Sequence, residues 1–409
     1  MKQPFVPSRP SVEPVVVAGC GSLVVRELSR LSGRDAFSIL TEIASDLLVQ
    51  KGADWTLPIT GEYLGIYPDS AGTFVVLWDR ISGRCIAHGA LLQSARFAEV
   101  GLVAHIRTRD EFQGRGLGRM VIERLAQWAF EHGADLLVLG TDDKLLRLDK
   151  GERAASGFYA KIGFAVLAEK RLADTVEWLM ALEPAAFRAS QAGPAAPGPQ
   201  SSAEPAARTE AAPGQLKSWL ANRLTELPPG APAEPVRAGD LAGLFLLLNA
   251  CPPDDFEVKL SAWDVQAGPE LERQFVVSVR PALADQDRVE DASLVLRNAS
   301  GWIVAVCAAR RETPFTRGTF RLDFYCLPAL LRTQPRPIRE LVERVIARIS
   351  ASPGTPGPLR LAFWGADAAK VRLFKSLGFA PTPNEVSFLR PQTGVRLTAR
   401  EYERLAGGR

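Results

Sequence analysis

Gln113-Gly114-Arg115-Gly116-Leu117-Gly118 is the stretch from which the rest of this chain is read. An extended apolar segment, Ala98 to Thr108, precedes it, and an amphipathic helical pattern, Arg119 to His132, follows. Strand, glycine-rich loop and helix in that order suit a bound pyrophosphate. Glycines let the backbone approach an anion closely. The first helical turn then offers its N–H groups at the positive end of the helix dipole. The spacing also partly fits a dinucleotide fingerprint, which needs a parallel repeat and an acidic residue about 20 residues further on. Asp142 and Asp143 meet the second demand. Upstream, however, Phe74–Trp78 and Cys85–Leu92 turn at Ser82-Gly83 as an antiparallel hairpin does.

A second stretch, Glu152-Arg-Ala-Ala-Ser-Gly-Phe-Tyr-Ala-Lys-Ile-Gly-Phe164, complements the first. Together the two motifs resemble the GNAT superfamily of N-acetyltransferases, over roughly Ser22 to Leu182. The resemblance implies an acyl-CoA (acetyl-CoA) co-substrate and no metal. Its pyrophosphate would lie on Gln113, Gly114, Arg115, Gly116, Leu117, Gly118 and Arg119. Its pantetheine arm would run along the backbone of Ile106, Arg107 and Thr108, and Tyr159 would reach the thioester. The family often carries asparagine where Glu152 stands.

Length and composition bound the rest. A chain of 409 residues suggests two or three domains. A net charge of +3 gives no ground for a nucleic-acid or membrane partner. No run is long and apolar enough to span a bilayer, and Met1-Lys2-Gln3-Pro4 does not open a signal peptide, so a cytoplasmic enzyme is expected. The scattered Cys20, Cys85, Cys251, Cys307 and Cys326 fit neither a disulfide framework nor a zinc site, and read as small buried hydrophobes.

Taken in order, Met1 to Val15 reads as a loose arm and Leu23 to Leu28 as a strand. Asp35 to Val49 reads as a helix with one apolar face. Trp55 and Tyr63 read as cover for the core edge or as lining of a substrate pocket. The helix after the glycine loop ends at Gly133, and Leu136 to Leu139 follows as a strand parallel to the earlier one. A charged loop, Thr141 to Arg153, leads to the helix that carries Tyr159. Ala165–Glu169 and Thr175–Leu182 close the first domain. From Pro184 to Gln215 alanine, proline, glycine and serine dominate, as in a flexible linker.

Acyl transfer to an amine needs a neutral nucleophile, a stabilised oxyanion and a proton donor for the leaving thiolate. The resemblance assigns the donor to Tyr159 and the oxyanion contact to a backbone N–H on the splayed strand. The base stays open among Glu99 and His105, expected on one face of the strand, Asp142, Asp143, and a chain of waters. The acidic Asp142, Asp143 and Glu152 would suit a cationic amine acceptor.

The second half repeats the order hairpin, strand, helix, strand and helix. Ser293–Leu296 and Ile303–Ala309 flank Asn298-Ala299-Ser300-Gly301. Arg321 to Leu327, Ile338 to Ile349 and Leu359 to Phe363 follow. Asp367 to Phe379 then aligns without a gap on Glu152 to Phe164, placing Ala369 on Ala154, Phe374 on Tyr159, Gly378 on Gly163 and Phe379 on Phe164. Arg332-Thr333-Gln334-Pro335-Arg336-Pro337 replaces the glycine loop, and its prolines have no N–H to give.

The expected fold is therefore α/β with mixed sheets: two GNAT-like acyl-CoA N-acyltransferase folds in tandem. Residues 16–183 would be the active copy, 184–215 a Pro/Ala-rich linker, 216–395 a degenerate copy and 396–409 a C-terminal tail. The expected activity is transfer of an acyl group to an unidentified primary amine by direct attack on the thioester. An acyl-CoA-binding sensor without catalysis is the alternative, and homo-oligomerisation stays open.

Overall fold

The computed structural model describes residues 13–15, 23–27, 33–51, 70–94, 96–144, 155–171, 175–191, 227–237, 240–250, 293–311, 320–351, 357–364, 368–389 and 396–404. Trp55, Tyr63, Glu152, Cys20 and Cys251 lie outside them. The chain divides into two compact units, 1–139 with 161–163 and 182–193, and 140–160 with 164–181 and 194–409.

The first sheet has eight strands. These are β1 (Glu13–Val15), β2 (Leu23–Glu27), β3 (Ser70–Asp79), β4 (Arg84–Ser94), β5 (Val100–Thr108), β6 (Leu136–Lys144), β7 (Ala165–Arg171) and β8 (Thr175–Leu182). Their order is β1-β2-β3-β4-β5-β6-β8-β7. The β3–β4 hairpin turns where expected: the Asp79 carboxylate accepts the N–H groups of Ile81 and Ser82 and the Ser82 hydroxyl, and Gly83 takes φ 66°. Helix α1 (Gly33–Lys51) buries Ile39 and Ile43 against Phe74, Val76, Cys85 and Ala90 on one face of this hairpin. Helix α2 (Leu117–Glu131) covers the opposite face, with Val121 and Leu125 over Gly89. It stops at Gly133, whose φ of 93° only glycine adopts without strain.

Three expectations in this half change. The N-terminal arm contains β1, which pairs antiparallel with β2 at the sheet edge, a place that tolerates Pro14. Strand β6 runs on through Asp143 to Lys144, past the point where a loop was expected. The first eight residues of the expected linker form a helix. Here Phe187 lies 5.6 Å from the Phe130 ring, and the carbonyl of Ala186 sits 3.2 Å from where a Cβ on Gly163 would be.

Numbered with that segment, the helices are α3 (Ala155–Ala160), α4 (Pro184–Gln191), α5 (Leu241–Ala250), α6 (Pro328–Thr333), α7 (Pro335–Ser350) and α8 (Ala368–Ser376). The second sheet holds β9 (Glu234–Pro235), β10 (Leu294–Arg297), β11 (Ile303–Arg311), β12 (Phe320–Cys326), β13 (Leu359–Trp364), β14 (Ala380–Leu389) and β15 (Arg396–Arg404). Its order is β14-β15-β13-β12-β11-β10-β9. Two antiparallel pairs, β10–β11 and β11–β12, lead to a parallel pair, β12–β13. The succession β3–β4, β4–β5, β5–β6 in the first sheet has the same senses.

Two expectations change here as well. The expected C-terminal tail supplies β15, which lies between β13 and β14. Glu403 pairs across strands with Arg360 at 2.8 Å and Tyr402 is buried. The Arg332–Pro337 stretch is not an open loop: α6 and α7 meet with only Gln334 between them, because Pro335 is pre-set for the first helical position. Of the cysteines, Cys85, Cys307 and Cys326 are buried free thiols. Among the described residues no helix is long and apolar enough to cross a membrane.

Candidate active site

The geometry around β5 departs from a regular sheet on both sides. Its parallel ladder with β6 covers only Val100↔Leu136, Gly101↔Leu137 and Leu102↔Val138, although both strands run on by six residues. Towards β4 the register shifts: Ala90 faces Ala104, but His88 faces Arg107. His105 and Ile106 therefore oppose the single residue Gly89, which is a β-bulge. His105 has φ 56°, the one positive φ outside glycine among the described residues. A Cβ on Gly89 would stand 2.3 Å from Ile106 Cδ1 and 2.8 Å from Val121 Cγ1. Glycine at that place lets Ile106 fold inward and the bulge form.

Beyond the bulge the chain is anchored. The Arg109 N–H donates to the Ile86 carbonyl at 3.0 Å, its Nε to the Cys85 carbonyl, and its Nη2 to Glu42 of α1 at 2.6 Å. A 3-10 turn over Asp110–Phe112 follows, and Gln113 Nε2 donates to Asp110 Oδ1 at 2.8 Å. Gly114 and Gly116 then take φ 77° and 78°. Space around both is open, so the left-handed backbone, not crowding, requires glycine there. Gly116 is the N-cap of α2 and makes no side-chain cap bond. The first turn of α2 carries no acidic residue, and Gln113, Gly114, Arg115 and Gly116 are exposed. Leu117 is buried and anchors the helix start. Open N–H donors, a helix dipole and no competing carboxylate suit an anion. Arg115 donates to the Glu111 carbonyl and lies 5.3 Å over the Phe112 ring. Arg119 is held at 2.6 Å by Glu123, one turn on.

Tyr159 lies on the six-residue α3, in the other compact unit. Its ring meets Phe164 edge-on at 5.8 Å and Phe158 at 5.1 Å, and burial pushes its phenol up to about 12. Phe164 N–H donates back to the Tyr159 carbonyl, past Gly163 at φ 108°.

The candidate bases separate. The bulge at His105 and Ile106 interrupts the regular alternation on which a shared face of Glu99 and His105 was expected. Glu99 precedes β5, its carbonyl accepting from Asp135 and Leu136. Six residues of strand put it roughly 20 Å from His105. Asp142 is exposed. Asp143 is buried and fully engaged by the start of α3. It is thus neither a base nor part of an acidic acceptor surface.

Sequence reading missed Gly89, the buried His88 on β4, the Glu42–Arg109 pair, and Ser156 and Trp178 around Asp143. Only Gly89 left a signal, as a glycine inside an apolar strand. The others depend on which elements meet.

The sequence model of the acetyltransferase (GNAT) family matches residues 40–164, from the middle of α1 to the Gly-Phe after α3. No curated protein matches the chain. Among solved structures, a putative GNAT acetyltransferase from Desulfovibrio desulfuricans is similar at 16% identity, covering 39% of this chain and 98% of that one, with a TM-score of 0.31. Escherichia coli ElaA is similar at 17% identity, covering 39% and 99%, with a TM-score of 0.31. A putative streptothricin acetyltransferase from Bacillus anthracis, solved with acetyl coenzyme A, is similar at 19% identity, covering 27% and 62%, with a TM-score of 0.23.

Proposed function

Residues 40–164 belong to the GNAT acetyltransferase family, and from that premise we propose an acyl-CoA-dependent N-acyltransferase whose one active site is built from 16–183. The observation that carries this reading is the connection after β5: a bulged strand end, then two left-handed glycines, then an uncapped helix N-terminus without a carboxylate. The pyrophosphate of acetyl-CoA lies on residues 113–118, with Arg115 and Arg119 as adjacent cations. The backbone of Ile106, Arg107 and Thr108 pairs with the pantetheine arm.

In the reaction the nitrogen lone pair of a neutral primary amine attacks the thioester carbonyl carbon and forms the C–N bond. The oxyanion takes a backbone N–H of the bulged strand. Collapse breaks the C–S bond. The sulfur takes a proton, and the nitrogen loses one to His105 or through water, so an amide and a free thiol result. A phenol at about 12 is a weaker acid than the thiol it serves, whose ordinary value is about 8.5. Tyr159 therefore stays protonated until the C–S bond breaks, donates a hydrogen bond to the departing sulfur, passes its proton as the thiolate forms, and is reprotonated from water.

The second half, 216–395 with β15, is a degenerate copy of the same fold in this reading. Its strand senses match, Arg339–Glu343 repeats the Arg119–Glu123 pair, and Phe374–Phe379 repeats the edge-on ring contact of Tyr159–Phe164. Its chemistry does not match. The β11–β12 ladder is continuous, without a bulge. Helix α6 stands where the loop would be. The β12–β13 ladder also stops early, after Arg321↔Arg360, but there Phe324 packs on Phe374 at 5.3 Å.

Calorimetric titration of acetyl-CoA into the full chain tests both parts. One site per chain is expected, with affinity lowered at least tenfold by Gly116→Val, since a β-branched residue resists φ 78°. Two sites would overturn the degenerate copy, and none would remove the acyltransferase reading. Thiol release with a panel of primary amines then separates an enzyme from an acyl-CoA-binding sensor, which would bind without turnover.

A further inference from the structure

We infer that Asp143 is the positioning residue of the proposed general acid: its buried side chain holds helix α3, and through it Tyr159. This rests on the acyltransferase reading but is tested apart from it. Helix α3 has six residues, too few to be stable alone, so its place must be set by tertiary anchors. The carboxylate of Asp143 supplies one. Oδ1 accepts the Ala155 N–H at 2.8 Å, and Oδ2 accepts the Ser156 N–H at 3.2 Å and the Ser156 hydroxyl. These are N-cap bonds, delivered by a residue on β6 twelve positions before the helix instead of by the residue preceding it. Trp178 of β8 adds a fourth donor, its Nε1 reaching Oδ2 at 3.1 Å. One carboxylate thus ties together β6, β8 and α3.

The site is built for a charged group. Asp143 and Ser156 are each 3% exposed. Desolvation raises the carboxyl's pKa, but the bonds from Ser156, Ala155 and Trp178 outweigh it and hold the group below its ordinary value. All four donors face oxygen, so asparagine would turn an NH2 group on some of them. Tyr159 follows one turn after Ser156, and the edge-on contact with Phe164 fixes the other end of the helix. The second half keeps that far end, in Phe374 and Phe379, but Val371 stands where Ser156 does and β15 contains no tryptophan. The Ser156 hydroxyl and the Trp178 indole are thus not repeated at the corresponding places of the second half.

The experiment is 13Cζ-tyrosine NMR on the full chain from pH 7 to 10.5, with Tyr159 assigned by Tyr159→Phe. The indole Nε1–H signal, assigned by Trp178→Phe, is followed alongside. In the wild type the Tyr159 signal should not titrate. In Asp143→Asn and Asp143→Ala it should begin to titrate below pH 10.5, as the phenol loses its enclosure, and the Trp178 indole signal should move. Ser156→Ala removes one donor and keeps the carboxylate. It guards against unfolding of the stronger variants and should shift the Tyr159 signal in the same direction by less. A Tyr159 signal unchanged in all three variants, with the indole moved, would overturn the inference, because the cap would then hold the helix without placing the phenol. If the chain turns over acetyl-CoA, Asp143→Ala should lower kcat about tenfold with KM for acetyl-CoA unchanged, and should cost nothing further once Tyr159 is phenylalanine. An equal cost in both backgrounds would count against positioning. A chain that never turns over removes the acyltransferase reading and leaves the NMR outcome standing.

Discussion

The connections after β5 and after β12 make the sharpest comparison within this molecule. Both follow a strand that is antiparallel to one neighbour and briefly parallel to the other. After β5 the chain spends its residues on a 3-10 turn and on glycines at positive φ, and leaves the start of α2 uncapped. After β12 it coils into α6 and enters α7 through Gln334 and Pro335. The rings differ in parallel. Tyr159 is partly exposed, whereas Phe374 is fully buried between Phe324 and Phe379. The same succession of strand senses can thus lead to open glycines at a helix start or to a packed core, and a few residues decide which.

The largest effect should come from Phe374→Ala, which opens a cavity where Phe324 and Phe379 meet. About 3–5 kcal/mol of stability should be lost on chemical denaturation, with acetyl-CoA affinity unchanged. Loss of acetyl-CoA binding would break the assignment of one ligand to one half. Next, Tyr159→Phe makes the first half resemble the second, and kcat should fall about 100-fold with little change in KM. An unchanged kcat would remove the phenol from the chemistry. Gly89→Ala should cost about 1–3 kcal/mol in thermal unfolding and weaken acetyl-CoA binding, since Ile106 and Val121 must retreat from the added carbon. A neutral result would show that the bulge does not depend on this glycine.

The pH dependence of stability separates the halves further. Asp143 is depressed in the folded state, so its contribution is present above the unfolded value of about 3.9 and is lost as pH falls through the folded value. Wild type should therefore lose stability below about pH 4 more steeply than Asp143→Asn, in denaturation curves from pH 2.5 to 6. Tyr159 works in the opposite sense. Its raised phenol contributes below pH 10 and loses that contribution between about 10 and 12. Smallest of all, Arg119→Ala and Arg339→Ala each break one exposed i,i+4 pair, and each should change stability by a few tenths of a kcal/mol. Only the first should also reduce acetyl-CoA affinity, by a few-fold in calorimetry.

Local chemistry was legible without coordinates. Positive φ at Gly114, Gly116, Gly163 and Gly378 follows from turns that admit glycine alone, and the β3–β4 hairpin turns at Ser82-Gly83 as the sequence indicates. The gapless match of Asp367–Phe379 to Glu152–Phe164 anticipated the repeated ring contact. Expectations failed where a long-range partner overrode local preference. The polar 396–404 became a strand inside the sheet once Arg360 was there to meet Glu403. The alanine-rich 184–191 became a helix against Phe130.

What the sequence determined by itself is the strand, glycine loop and helix after Thr108: glycine spacing and helix period are both properties of neighbours along the chain. What only the tertiary structure decided is what stands around it. The bulge at His105 depends on a glycine sixteen residues earlier, on another strand. Asp143 is set as a cap, and removed from the candidate bases, by Ala155, Ser156 and Trp178. A carboxylate looks the same in any sequence. Whether it titrates in solvent or anchors a helix depends on the donors that folding brings to it.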